Sequence, residues 1–385
     1  MRFVTPGLTA VALVLSLGAA AAEEGFVPEK LTVEERIPPG PNVFVVDQRW
    51  DGASKVSVIG VDKLDRRGTI SAGLIAQFAL SPDRKTLYTA SAYAKRITSG
   101  PTEAVLQEFD VETLKDKREI VVSEKMAQVA PQNNALAPSA DGQYIFVQNA
   151  TPATSVSVVD LKAGKQIAEV PIPGCWSIHP ATSGLRFTTL CGDGTFQTYT
   201  VQADGTFSKP EKSQKIFDAV SEPLFTISQR RGDALLFLSF NGNVFIVSDK
   251  SGPAQLEGKF SITEGQNGAD EAWAPGGFEV MAYNAANDVL FVAMHPEAKE
   301  GSHKNAAHEI WPVQVAQKKV LYRSPVEGVK SIAVTQGKEP VLFGTDDEEK
   351  VLTRYAVDPE AKFAAKLTGK VKDIGEMAVQ LYVAP

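Results

Sequence analysis

The sequence is poor in the residues on which most site chemistry rests: its 385 residues include only two cysteines and four histidines. So sparse a set excludes a disulfide-dense scaffold and a cysteine-rich metal module. No block of Lys and Arg occurs, and 46 acidic against 39 basic residues give a net charge of -7. Binding to nucleic acid or to an anionic membrane surface therefore has no electrostatic basis. GxSxG, GxxxxGK[ST] and a GxGxxG set between strand and helix are all missing. Acidic residues are scattered among turns, so spacing defines no carboxylate pair. Long amphipathic helical patterns are absent too, which argues against a parallel α/β fold.

What the chain has instead is a repeat. SPDRKTLYTA (81–90) and PSADGQYIFVQ (138–148) each open on a turn signal of Ser, Pro, Asp or Gly and run at once into alternating aromatic and β-branched residues. A second strand-like run follows and ends in a polar turn, as in VSVVDLKAGK (156–165). The first run recurs at Val43, Leu87, Ile145, Arg186, Leu236, Leu290 and Leu342. Its partner recurs at Val56, Val105, Val156, Phe196, Val244, Ile310 and Val351. Successive first runs lie 41 to 58 residues apart. Seven paired runs at that period predict an all-β fold, a seven-bladed β-propeller with four-stranded antiparallel blades. A large β-sandwich also has many short strands, but sandwiches do not repeat one phrase seven times. Because each blade packs mainly on its neighbours, one domain can hold the length.

Residues 1–22, MRFVTPGLTAVALVLSLGAAAA, have one Arg before an apolar core over about 8–17 and small residues up to Ala22. They are expected to form a signal peptide cleaved between Ala22 and Glu23. The apolar core is shorter than the roughly 20 residues of a membrane span, and no later segment approaches that length. Residues 23–41 are rich in charge and proline and are expected to form an extended arm, disordered or wrapped on a neighbouring subunit. The propeller then occupies 42–385. In an exported chain an even cysteine count favours a bridge, so Cys175 and Cys191 are expected to pair across two strands joined by a turn at Thr182, Ser183 and Gly184. A catalytic thiol is the sharper alternative, but it would not persist in an oxidising compartment. Three of the four histidines, His295, His303 and His308, fall within HPEAKEGSHKNAAHEIW (295–311), beside Glu297, Glu300 and Glu309. Their spacing matches no metal-ligand pattern, and a polar, partner-contacting loop at one face of the propeller is the plainer reading. His179 stands apart.

Several longer phrases carry a resemblance. YAKRITSGPTEAVLQEFD (93–110), QNATPATSVSVVDL (148–161), GCWSIHP (174–180) with LCGDGTF (190–196), WAPGGFEVMAYN (273–284) and MHPEAKEGSHKNAAHEIW (294–311) resemble the heavy chain of quinoprotein amine dehydrogenases. NATPATS and KEGSHK are more similar to the aromatic amine branch than to the methylamine branch. The resemblance implies a heavy subunit of a periplasmic α2β2 enzyme with no catalytic residue, cofactor or metal of its own. Tryptophan tryptophylquinone is then expected in the small, cysteine-rich light chain, with a blue copper protein of the azurin or amicyanin type as electron acceptor. Trp50, Trp176, Trp273 and Trp311 of this chain are expected to be structural rather than quinone precursors. The resemblance also places Trp50, in VVDQRWDGAS, where family heavy chains usually carry a Phe lining the substrate channel; an indole there narrows the channel. Two other classes remain: a self-sufficient, lactonase-like propeller hydrolase with a channel metal, and a scaffold without an enzymatic partner.

Overall fold

A computed structural model describes residues 34–96, 99–266 and 272–384. The body of the fold spans residues 36–385. The predicted signal peptide and the arm as far as residue 33 lie outside the described residues. Among these residues there is no α-helix; the single helical turn is a 3-10 segment at Ser302–Lys304. Seven antiparallel sheets follow one another as the blades of a propeller, as the repeat predicts.

In blade 2 the order from the channel outwards is Leu74–Leu80, Thr86–Ala94, Thr102–Asp110 and Asp116–Val122. Blades 3, 4, 5 and 7 repeat this order, beginning at Leu136–Pro138, Cys175–Pro180, Gln229–Arg231 and Ser331–Val334. Blade 6 keeps the plan with both edges split. Ala274–Pro275 and Met281–Asn284 pair with the inner side of Val289–His295, while Lys319–Val320 and Ser324–Val329 pair with the outer side of Ala307–Gln314. The ring closes in blade 1, where Ala378–Ala384 from the C-terminus is the inner strand beside Asn42–Asp47. The two runs read from the sequence are thus the second and third strands of every blade. Residues 36–41, the end of the predicted arm, lie against this chain's own blades. The Ile37 N–H donates to Glu112 O at 2.8 Å, and Arg67 Nη1 donates to Asn42 Oδ1 at 2.9 Å and to Pro38, Gly40 and Pro41 carbonyls.

The second strands show why the pattern folds this way. Phe44 and Val46 of Asn42–Asp47 pack towards blade 2, whereas Val43 and Val45 pack towards blade 7. A strand with a neighbour on each side buries both of its faces, so the run is apolar throughout rather than alternating with polar residues. Phe44, Phe146, Phe187, Phe237, Phe291 and Phe343 fill this second strand in six blades, all wholly buried. Phe146 meets Phe187 at 5.1 Å between centroids, and Phe196 meets Phe237 at 5.1 Å, which ties blade to blade. The turn before the strand is equally repetitive. Ser81 Oγ and Ser139 Oγ each donate to the Asp two residues on, at 2.6 Å, and each accepts the N–H that opens the second strand. That Ser-x-Asp turn is the physical content of the repeated phrase.

Candidate functional site: a plugged channel with two unlike ends

All seven inner strands run the same way, so their starts define one face of the propeller and their ends the other. In the blade 2 register Leu74, at the start of its inner strand, pairs with Ala92, and Leu80, at its end, pairs with Leu87. The connections from second to third strand, and from each blade to the next, therefore lie on the start face, here called upper.

One blade-to-blade connection reaches across the channel. Residues 123–135, between Asp116–Val122 and Leu136–Pro138, form a plug whose polar groups touch most of the blades. The carbonyl of Val129 accepts from Gln48 Nε2 at 2.9 Å and Gln77 Nε2 at 3.0 Å. Gln132 Oε1 accepts from Trp176 Nε1 at 3.3 Å and Thr226 Oγ1 at 3.1 Å. Asn134 donates to Ile178 O at 2.9 Å and accepts the Ser228 N–H at 3.1 Å. Asn133 Oδ1 accepts from Gln380 Nε2 at 3.1 Å. Sequence reasoning missed this plug. Its signal was the longest interval in the repeat, the 58 residues from Leu87 to Ile145.

At the plug sits Glu279, fully buried, with Asn133 donating to both carboxyl oxygens: N–H to Oε1 at 2.8 Å and Nδ2 to Oε2 at 2.7 Å. The two donors favour the carboxylate, but burial without a cation outweighs them and pushes this acid up to about 8. His179 is the buried base of the channel. Its Nε2 lies 2.7 Å from Ser177 Oγ and its Nδ1 2.7 Å from Ser228 Oγ. Burial first, and then the Arg230 charge, push it down to about 3, so it is neutral at ordinary pH.

The upper face is apolar beside the plug. A depression of about 450 Å³ is lined by Trp176, Phe217, Pro223 and the cysteine pair, and one of about 220 Å³ by Pro131, Phe240, Phe278 and His303. Leu224 and Thr226 border both. Beside them Val220 is 92% exposed, on a turn pinned by Asp218 Oδ1, which accepts the N–H groups of Val220 and Ser221 at 3.0 Å. Trp50 stands on the same face, 55% exposed, between the second and third strands of blade 1. Arg49 anchors that loop through Asp51 and through Glu376 at 2.9 Å.

The predicted disulfide is present: Cys175 and Cys191 are bonded and face each other across Cys175–Pro180 and Arg186–Cys191. The three clustered histidines share a stretch of upper-face chain but do not converge. His295 is buried with Nδ1 on its neighbour Pro296 O, His303 stacks on Phe240 at 4.4 Å, and His308 is exposed. Trp273 and Trp311 lie 5.8 Å apart with the Arg323 guanidinium over both rings, at 4.6 and 4.7 Å. Glu309 holds that guanidinium at 2.6 Å and also accepts the Trp311 indole N–H at 2.5 Å.

The lower end is a cavity of about 430 Å³ that reaches up to Asn133, Asn134 and His179. Its charged lining residues are Arg84 and Arg230, and no Asp or Glu lines it.

Comparisons with known proteins agree on one relationship. The family described as methylamine dehydrogenase heavy chain (MADH) matches residues 41–383. The methylamine dehydrogenase heavy chain of Methylobacillus flagellatus is 26% identical over 90% of this chain and 86% of its own. That of Methylophilus methylotrophus is 24% identical over 98% and 95%. Among solved structures, the periplasmic gluconolactonase of Pseudomonas aeruginosa superposes with a TM-score of 0.63 at 15% identity, covering 90% of this chain and 99% of that one. A 6-phosphogluconolactonase-like protein of Bacteroides fragilis gives 0.62 at 10%, covering 93% and 100%. At such identities the two lactonase likenesses are likenesses of fold.

Proposed function

Because the chain belongs to the methylamine dehydrogenase heavy-chain family, we propose that it is the heavy subunit of a periplasmic amine dehydrogenase, assembled with a light chain as α2β2. The match over residues 41–383 carries this reading. Tryptophan tryptophylquinone, borne by the light chain, supplies the electron-accepting chemistry. A primary amine and water become aldehyde, ammonia and two protons, and two electrons leave one at a time for a blue copper protein. This chain supplies enclosure: a small light chain has little surface with which to bury a reactive site, and the broad upper face can cover it. The apolar band around Leu224, with Trp176, Phe217 and Val220, suits the centre of an obligate interface. The tryptophans fit a supporting role, since Trp311 is fully buried and bonded to Glu309.

Trp50 is the residue of this chain proposed to line the substrate channel. Its exposure on the upper face supports that role, and the NATPATS and KEGSHK phrases support aromatic amines as substrates. Co-production with and without the neighbouring light-chain gene tests the assignment. Amine-dependent dye reduction is expected only with the light chain; activity of this chain alone would refute it. Trp50→Ala is expected to change KM or amine preference several-fold while the quinone absorbance stays intact. An unaltered substrate profile would remove Trp50 from the channel.

A further inference from the structure

We propose that the lower mouth of the channel is a binding site for a small oxyanion, a carboxylate or phosphate group, anchored by Arg84. The chain as a whole carries a net charge of -7, yet the lining of this 430 Å³ cavity contains two arginines and no carboxylate. A concave, low-dielectric mouth of one sign concentrates ions of the other. The two arginines are not equivalent. Arg230 is occupied, its Nη1 and Nη2 donating to the two Asp249 oxygens at 2.5 and 3.0 Å, with a further bond to Pro180 O. Arg84 is exposed, and among the described residues no carboxylate lies within ion-pair distance of its guanidinium. Tyr382, its hydroxyl pushed up chiefly by burial with the Arg84 charge acting the other way, lies in the wall of the same cavity.

The repeat shows how the turn holds Arg84 at the mouth of the cavity. In blade 3 the corresponding turn residue is Gly142, at φ 68°, with its N–H bonded to Ser139 O at 2.9 Å. Arg84 makes the same bond to Ser81 O at 2.9 Å from φ 63°. A left-handed conformation disfavours any residue with a Cβ, so glycine serves this turn better. Arg84 is one of twelve described non-glycine residues at positive φ, and it lines a cavity without acids. A guanidinium fork meets a carboxylate or phosphate through two parallel hydrogen bonds. Asn133 and Ser228 line the cavity further in, bonded to Glu279 and Gln380 and to His179 respectively.

Calorimetric titration of the purified protein, in the assembly in which it purifies, with inorganic phosphate and separately with succinate at low ionic strength provides the test. Saturable binding with a Kd on the order of 1 mM is expected for at least one of them. Binding of one alone identifies the preferred headgroup, and binding of both assigns the site to oxyanions generally; either sustains the proposal. Arg84→Gly is expected to weaken binding at least about tenfold while raising Tm slightly, because glycine relieves the turn. Arg84→Lys keeps the charge without the fork and is expected to fall between the two. Unchanged affinity in Arg84→Gly, or heat that never saturates and is matched by equimolar chloride, would overturn the proposal.

Discussion

Glu279 offers the sharpest physical test of the plug. Its acid is raised from 4.5 to about 8 by burial, so between those values the folded chain holds one proton that the unfolded chain has released. Stability linked to this group is fully present below pH 4.5, declines as pH rises, and is gone above about 8. One proton corresponds to about 1.4 kcal/mol per pH unit, accumulating to about 5 kcal/mol across the window. For a body of this size, with an unfolding entropy of about 2.1 cal/mol/K per residue, that slope is about 2 °C of Tm per pH unit. Glu279→Gln removes the titration. It also turns one acceptor into a donor opposite the two Asn133 donors, a pH-independent cost of about 1–3 kcal/mol. Calorimetric melts of both proteins at pH 5, 6, 7 and 8, at fixed ionic strength, should therefore converge or cross as pH rises. Every other titrating group is common to the two proteins, so the difference isolates this carboxyl. Parallel curves across the range would refute the claim that a neutral acid holds the plug at pH 7.

Two further perturbations test the frame. Cys175→Ser with Cys191→Ser opens a loop of 16 residues and is expected to cost about 3 kcal/mol, or about 4 °C in Tm, with the fold retained because both strands remain paired in the sheet. A melt within 1 °C of the parent would contradict it. Deleting residues 378–385 removes the inner strand of blade 1 and strips Asn42–Asp47 of a partner along its length. Soluble monomeric protein is expected to disappear, and recovery of a cooperatively melting monomer would show that the ring does not depend on this closure.

The parts legible in the sequence were those buried on both sides. Second strands such as VFVVD and LFVAM declare themselves because each packs between two neighbours, and the Ser-x-Asp turn precedes two of them with identical bonding. Inner strands were harder to see. Leu136–Pro138 and Gln229–Arg231 have three residues each, too few for a period to register, and Gln229–Arg231 carries no apolar residue. Pairing of the cysteines was readable because strand neighbours in one blade are sequence neighbours. The plug was not, since its bonds run from Val129 to Gln48 and from Asn133 to Glu279, contacts 81 and 146 residues apart that no local pattern announces. The clustered histidines agree with the plainer reading of a loop: nearness along the chain did not bring their imidazoles together. Nor does position in the repeat reveal that Arg84 lines a cavity without acids.

The plug is a party wall between two rooms. Pro131 and Gln132 furnish one side, against the upper depression, while Asn133 and Asn134, the very next residues, furnish the other. Ligands in the two rooms would therefore touch neighbouring residues of one segment. The two doorways, otherwise separate, meet at these four consecutive residues.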